Sequence, residues 1–293
     1  MKALVIGGTG AVGSQVVREL QARNAEVLIL TRKAENLKSL PAGTRGVVGD
    51  LLDPGTVRSI FRGVDCVFLL NVVSPAETHE GLMAVNGARM AGVRRLVYLS
   101  VQEADRAAHL PHFGSKLLVE TVIKASGIPF TVLRPNNFFQ NDYFFKDVLL
   151  QHGVYPQPIG DVGIHRVDIR DIAEAAAIAL TTGGHEGQTF NLVGPEPFTG
   201  KDTADAWGRT LGKPIAYAGN DLDAWEKQSL QYLPAWLVFD FRLMYEYFQQ
   251  GGFRATPADI ERQTKLLGHA PRNFGDFTRE TAQMWAVPTV SGA

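Results

Sequence analysis

Apolar and polar positions follow one another along this chain in two rhythms. Short unbroken apolar runs read as strands buried on both faces: residues 2–6 (Lys2-Ala3-Leu4-Val5-Ile6), 26–30, 44–48, 65–70, 95–99, 130–133 and 189–193. Between them apolar residues recur at helical spacing, as at Val12, Val16 and Leu20, and through 56–62, 77–91, 112–125 and 172–181. Strands separated by helices predict an α/β fold with a doubly wound parallel sheet. One boundary is explicit: Asp171 can cap a helix opening Ile172-Ala173-Glu174, with Glu174 completing a capping box. Beyond Gly194-Pro195 the alternation fades. Trp207, Leu211 and the stretch 225–248, which carries eight aromatics, predict a smaller, mostly helical lobe. That aromatic stretch reads as core between lobe and sheet, as a lid over an apolar pocket, or as a subunit interface.

The first helix is preceded by Gly7-Gly8-Thr9-Gly10-Ala11-Val12-Gly13. A glycine loop between strand and helix suits a dinucleotide's pyrophosphate. One glycine makes the tight turn, another admits the phosphates to the backbone, and the last lets helix and strand pack closely. The helix N-terminus adds unpaired N–H groups and partial positive charge. Two spacings fit, GxGxxG from Gly8 and GxxGxxG from Gly7, so Gly7, Thr9, Gly10, Ala11, Val12 and Gly13 are all candidate coenzyme contacts. After the second strand, where an NAD site would place a carboxylate for the ribose hydroxyls, stands Thr31-Arg32-Lys33. A carboxylate repels a 2′-phosphate, whereas a guanidinium grips one in a fork. Arg32 and Lys33 therefore favour NADP(H) over NAD(H).

Ligands of an open α/β sheet sit beyond the carboxyl ends of its strands, so the residues there are the next candidates. Asp50 either accepts from an adenine amino group, with Leu51 against the ring, or is a turn residue before Asp53 caps a helix. Asn71 and Val72 follow the fourth strand and suit a ribose. The fifth strand ends at Ser100, and His112-Phe113-Gly114-Ser115-Lys116 follows; His112 and Lys116, four apart, share a helix face. Hydride reaching a carbonyl carbon leaves negative charge on oxygen, which needs a proton donor nearby. Lys116 can bond the nicotinamide ribose, Ser100 can hold the substrate oxygen, and His112 can donate a proton near neutral pH. These three are the candidate catalytic residues. Pro135 and Asn136, after the sixth strand, suit a pocket floor or a plain turn. No cluster of His, Cys and carboxylates has ligand spacing, so no metal is expected, and there is no GxSxG elbow.

A formal net charge of −1 makes no electrostatic case for nucleic acid or an anionic membrane. Cys66 is the only cysteine, which rules out an intrachain disulfide, and its apolar surroundings predict a small buried residue. The first strand starts at once, leaving no room for a signal peptide, and no apolar run reaches membrane-spanning length. The expectation is a cytoplasmic protein, monomer or homodimer, acting on a small molecule. Residues 1–193 form the dinucleotide-binding domain and 194–293 the substrate lobe, with 136–170 a further candidate for that lobe.

Taken together, the glycine loop, Thr31-Arg32, Gly49-Asp50, the His112 to Lys116 block with Glu120, Leu133-Arg134-Pro135 with Phe138, Val167-Asp168-Ile169-Arg170-Asp171-Ile172-Ala173 and Phe190-Asn191-Leu192-Val193-Gly194-Pro195 resemble the NmrA-like atypical short-chain dehydrogenases. The resemblance spans nearly the whole chain and loosens after about Lys213. It implies a Rossmann core, a small C-terminal substrate lobe and a preference for NADP(H). The family includes NADPH-dependent reductases of quinones, dyes and phenylpropanoid-like compounds, and also regulators that sense the coenzyme without turnover. The tyrosine of ordinary short-chain dehydrogenases is absent, its place held by His112, and in reductase relatives the lysine matching Lys116 is the candidate for catalysis. Where the acceptor is a quinone or dye cation, pocket water can protonate the product. The expectation is an oxidoreductase passing hydride from NADPH to a small apolar acceptor; the alternative is a redox sensor that binds a protein partner. A sugar-nucleotide epimerase or dehydratase normally needs the missing tyrosine.

Overall fold

In the computed structural model, which describes residues 1–286, seven strands form one parallel sheet. They are β1 (Lys2–Ile6), β2 (Glu26–Thr31), β3 (Thr44–Val48), β4 (Cys66–Leu69), β5 (Arg95–Leu99), β6 (Phe130–Pro135) and, after a short β7 (Val154–Tyr155) that pairs elsewhere, β8 (Gln188–Leu192). Their spatial order is β3-β2-β1-β4-β5-β6-β8. The chain winds outward from β1 in one direction and restarts at β4 in the other, so a crevice opens at the carboxyl ends of β1 and β4. The expected doubly wound α/β architecture is the one observed. Strand ends differ from the expected limits by a residue or two, chiefly because β6 continues through Pro135.

The helices that cross between strands are α1 (Ala11–Ala22), α2 (Pro54–Ile60), α3 (Glu77–Met90), α4 (Pro111–Ala125) and α5 (Ile169–Thr181). Alternate sheet residues Leu4, Val67, Leu96 and Tyr98 pack with Ile60 of α2, Ala84 of α3 and Val119 of α4. The intervening ones, such as Ala3 and Val5, belong to the other face by the pleat of the sheet, where α1 and α5 pack together. Both faces are covered, which is why the strands read as apolar runs and not as alternation.

One expectation is corrected. The helix expected to start after Asp171 starts at Ile169, so Asp171 is buried in its first turn and is no N-cap, and Glu174 faces His269 at 3.0 Å. Ile169 lies one turn before Ile172 and Ala173 on the same buried stripe, and burying it extends the helix by that turn. Asp53, by contrast, does cap α2, accepting from the Gly55 and Thr56 amides.

The chain divides into two compact units. The first comprises Met1–Pro135, Ile169–Leu192 and Glu261–His269; the second comprises Asn136–Asp168, Val193–Ile260 and the segment from Ala270 on. Residues 287–293 of the expected C-terminal lobe lie outside the described residues. The second unit holds α6 (Gly200–Leu211), a parallel pairing of β7 with β9 (Ala216–Tyr217), α7 (Leu222–Ser229), α8 (Ala235–Gln249), the first residues of α9 (Pro257–Leu267) and α10 (Phe274–Ala286). Its centre is polar. Asp142 accepts from Arg166 Nη2 at 2.7 Å and from the Trp207 indole at 2.8 Å, and all three side chains are buried. The aromatic stretch splits: Tyr245 and Phe248 are buried, whereas Tyr232, Trp236 and Phe239 are exposed. Among the described residues no helix is long and apolar enough to cross a membrane.

Cys66 is buried in β4, and desolvation pushes its thiol up to about 12. Since the thiolate is the nucleophile, the folded protein is expected to resist a thiol reagent at pH 8 and to react stoichiometrically once unfolded in denaturant. Rapid labelling of the native protein would contradict this placement.

Candidate functional site

The glycine loop assigns each glycine a different task. Gly7 has φ +82°, a conformation that favours glycine and turns the chain out of β1. A Cβ on Gly13 would stand 2.1 Å from the Gly7 carbonyl oxygen, so α1 can approach the loop only over a hydrogen atom. Gly8 is packed against Ile29, where a Cβ would meet Cγ2 at 2.9 Å. Gly10 has room: its nearest neighbour would be Gly7 O at 3.4 Å, and it is exposed at the N-terminus of α1. Turn, close packing and open backbone thus fall on Gly7, Gly13 and Gly10, which selects the GxxGxxG spacing. Thr9 and Ala11 are exposed beside Gly10, while Val12, in the first turn of α1, is buried.

A cleft at the carboxyl ends of the strands gathers Gly7, Thr9, Arg32, Lys33, Asp50, Leu51, Asn71 and Val72, eight of the sequence-derived contacts, from four separate strand ends. It also takes in Asn36 and Glu80, which the sequence reading missed. Arg32 is largely exposed and lies 3.6 Å from Glu80. Asp50 spends one carboxylate oxygen on the Leu52 amide at 2.8 Å, so it shapes its own turn as well as lining the cleft. Asn71 is the informative residue. Its side chain is buried and lines the cleft; neither its amide nitrogen nor its oxygen makes a hydrogen bond of good geometry among the described residues, and it stands beside the Glu80 carboxyl, whose upward shift it partly opposes. An unsatisfied buried amide costs about 1–3 kcal/mol. A ligand carrying both donors and acceptors, such as a ribose, would satisfy it. The open Gly10 backbone, the exposed guanidinium and this poorly bonded amide fit a nicotinamide dinucleotide.

The candidate catalytic residues all belong to the first unit, and each is buried. Lys116 Nζ donates to Glu77 Oε1 at 2.6 Å, joining α4 to the first turn of α3. Ser100 Oγ donates to Glu120 Oε1 at 2.5 Å. His112, in the first turn of α4, packs edge-on to Phe113. Glu120 also receives Arg134 in a fork, Nε to Oε1 at 2.9 Å and Nη2 to Oε2 at 2.8 Å. Burial alone would raise the Glu120 carboxyl, but the bonds from Arg134 and Ser100 outweigh it and hold the group below its ordinary value. The motif residues Glu120 and Arg134 therefore clamp α4 to β6. Tyr98 offers no replacement for the missing phenol: fully buried, it is held well above its ordinary value by desolvation and by the charges of Glu77 and Glu120.

Pro135 closes β6, its carbonyl accepting the Gln102 amide at 2.9 Å. Asn136 belongs to the second unit, where its Nδ2 donates to the Phe253 carbonyl at 2.7 Å and its Oδ1 accepts the Asn137 amide. Asp171, Glu174 and His269 bring ligand-type atoms within 4.8 Å of one another, a grouping that sequence spacing does not reveal. The His269 contact with Glu174 is an ordinary ion pair when the imidazole is protonated.

Glu77 and Glu80 are the residues that sequence reasoning passed over. Their signal was present, two carboxylates three apart in the first turn of a helix already expected at 77–91, but nothing in the pattern said which cations they meet.

A model of the NmrA-like family matches residues 1–277. An NAD(P)H azoreductase of Xenophilus azovorans is 32% identical over 284 residues, covering 95% of this chain and 97% of that protein. A (4-alkanoyl-5-oxo-2,5-dihydrofuran-3-yl)methyl phosphate reductase of Streptomyces griseus is 32% identical, covering 97% of this chain and 99% of the relative. Among solved structures, an NADPH-dependent quinone oxidoreductase from Escherichia coli, complexed with NADPH, superimposes with a TM-score of 0.86 at 24% identity over 96% of this chain and all of the other.

Proposed function

The chain belongs to the NmrA-like family, whose relatives here include NAD(P)H-dependent reductases, and from that premise we propose that it is an NADPH-dependent reductase of a small, flat, largely apolar acceptor such as a quinone, a dye or a phenylpropanoid-like compound. The observation that carries this reading is the cleft itself, which gathers the poorly bonded, buried Asn71 amide with Gly7 and Thr9 of the glycine loop and the Arg32 guanidinium. When bound, NADPH supplies the hydride. The chain supplies position: Gly10 and the α1 N-terminus receive the pyrophosphate, Asn71 and Val72 a ribose, and Leu51 the adenine. Arg32 and Lys33 meet the 2′-phosphate.

Lys116 has a positioning part. Glu77 fixes its Nζ, and an ammonium keeps further N–H groups with which to hold the nicotinamide ribose. His112 is the candidate proton donor for a carbonyl-type acceptor. A quinone or dye cation needs no such residue, since water can protonate the product.

Purified protein is expected to oxidise NADPH when offered a panel of quinones and azo or triphenylmethane dyes. Binding of the coenzyme with no turnover across the panel would favour the sensor reading instead. Arg32→Glu tests the coenzyme assignment. Charge reversal beside a phosphate is expected to weaken NADPH binding by about 100-fold and to leave NADH within about threefold. Titration by quenching of intrinsic fluorescence reads both, and an unchanged NADPH affinity would refute the role given to Arg32.

A further inference from the structure

Helix α3 aims two carboxylates, one turn apart, at two cations of the site. Glu77 takes Lys116, and Glu80 takes Arg32. The two pairs differ in kind. Lys116 and Glu77 are both buried, whereas Arg32 is more than half exposed over a Glu80 side chain that is only 10% exposed. Glu80 thus forms wall, and Arg32 lies across it.

The charges in the cleft do not favour a dianion as strongly as Thr31-Arg32-Lys33 suggests. Arg32 and Lys33 stand against Asp50 and Glu80, all four lining the same cleft, and Lys33 lies 3.8 Å from Glu35. A 2′-phosphate reaching Arg32 must share that guanidinium with Glu80 or draw it away. Drawing it away leaves a largely buried carboxylate without its counter-charge, and such a group is costly. Burial already raises the Glu80 carboxyl, Asp50 and Glu77 push the same way, and Arg32 is the charge that opposes them, with a smaller contribution from the Asn71 amide. A ribose 2′-hydroxyl makes no such demand on Arg32.

We infer that Glu80 is a coenzyme-selectivity residue: by competing for Arg32 it lowers the preference for the 2′-phosphorylated coenzyme, so that the protein accepts NADH as well as NADPH. This rests on the reading of the cleft as a nicotinamide dinucleotide site. It adds to that reading a residue from α3, outside the strand-end positions that ordinarily decide between the two coenzymes.

The test is direct binding, by fluorescence titration, of NADPH and NADH to the wild-type protein, to Glu80→Gln and to Glu80→Ala, with melting temperatures recorded for each. Both variants are expected to tighten NADPH by about tenfold and to leave NADH within about twofold, because only the phosphate competes for Arg32. Glutamine keeps the shape of the wall, so at least one folded variant is available. An unchanged ratio of the two affinities overturns the inference while leaving the coenzyme site intact. Equal tightening of both also overturns it, since that would mean a general change of fit. Failure of the wild-type protein to bind either coenzyme removes the underlying reading and the inference with it.

Discussion

Lys116→Ala is expected to lose about 3–5 kcal/mol of folding stability along with its activity, because the substitution removes the ammonium from a carboxylate, Glu77, buried in the protein interior. Glu77 is 1% exposed and its bond to Lys116 is 2.6 Å long, so no solvent stands ready to replace the ammonium. A loss of turnover in this variant would therefore be ambiguous. The double variant Lys116→Met with Glu77→Gln resolves it. Removing both charges leaves an uncharged amide beside a packed thioether, and replacing both members of a buried pair is often close to neutral. The double variant is expected to recover most of the lost stability in urea denaturation. Its rate of NADPH oxidation is expected to remain about 100-fold below wild type if Lys116 positions the coenzyme. Recovery of both stability and rate would reduce Lys116 to a structural partner of Glu77. Undiminished stability in Lys116→Ala alone would contradict the buried pair itself.

Gly13→Ala is the second large effect. The added methyl would lie 2.1 Å from the Gly7 oxygen and 2.8 Å from Gly8 Cα, both parts of the backbone, so the start of α1 must move away from the loop. NADPH binding is expected to weaken by about 100-fold, or roughly 2.7 kcal/mol, together with a lower melting temperature. Gly10→Ala separates the two consequences. There the nearest atom is 3.4 Å away and the backbone is extended at φ −88°, ψ 176°, so the fold tolerates the methyl. Its melting temperature is expected to match wild type while coenzyme binding falls, since Gly10 is where the phosphates are given access to the backbone. Wild-type binding by Gly10→Ala would remove that role.

Much of the site was legible because coenzyme recognition at a strand–loop–helix junction is local in sequence. Gly7, Arg32, Asp50 and Asn71 each stand within two residues of a strand's end, Gly10 and Gly13 follow in the loop and first turn of α1, and strand ends can be read from apolar runs. The substrate-facing chemistry was less legible. His112, Ser100 and Lys116 are all buried, yet the partners of Lys116 and Ser100, Glu77 and Glu120, come from helix positions that look like ordinary surface carboxylates. The Asp171 boundary failed for a related reason. Asp171 and Glu174 have the spacing of a helix start, but Ile169, two residues earlier, is buried and already helical.

The sequence by itself determined the parallel sheet, the alternation of its strands and helices and the glycine loop between the first strand and helix. Runs of apolar residues and glycine spacing act within a few residues of chain, and no other fold buries them so completely. Only the tertiary structure decided which charges neutralise one another. Arg32 with Glu80, Lys116 with Glu77, Arg134 with Glu120 and Arg166 with Asp142 are pairings between elements. A charge's meaning depends on what stands within a few ångströms of it and on how much water is excluded, and neither quantity is carried by position along the chain.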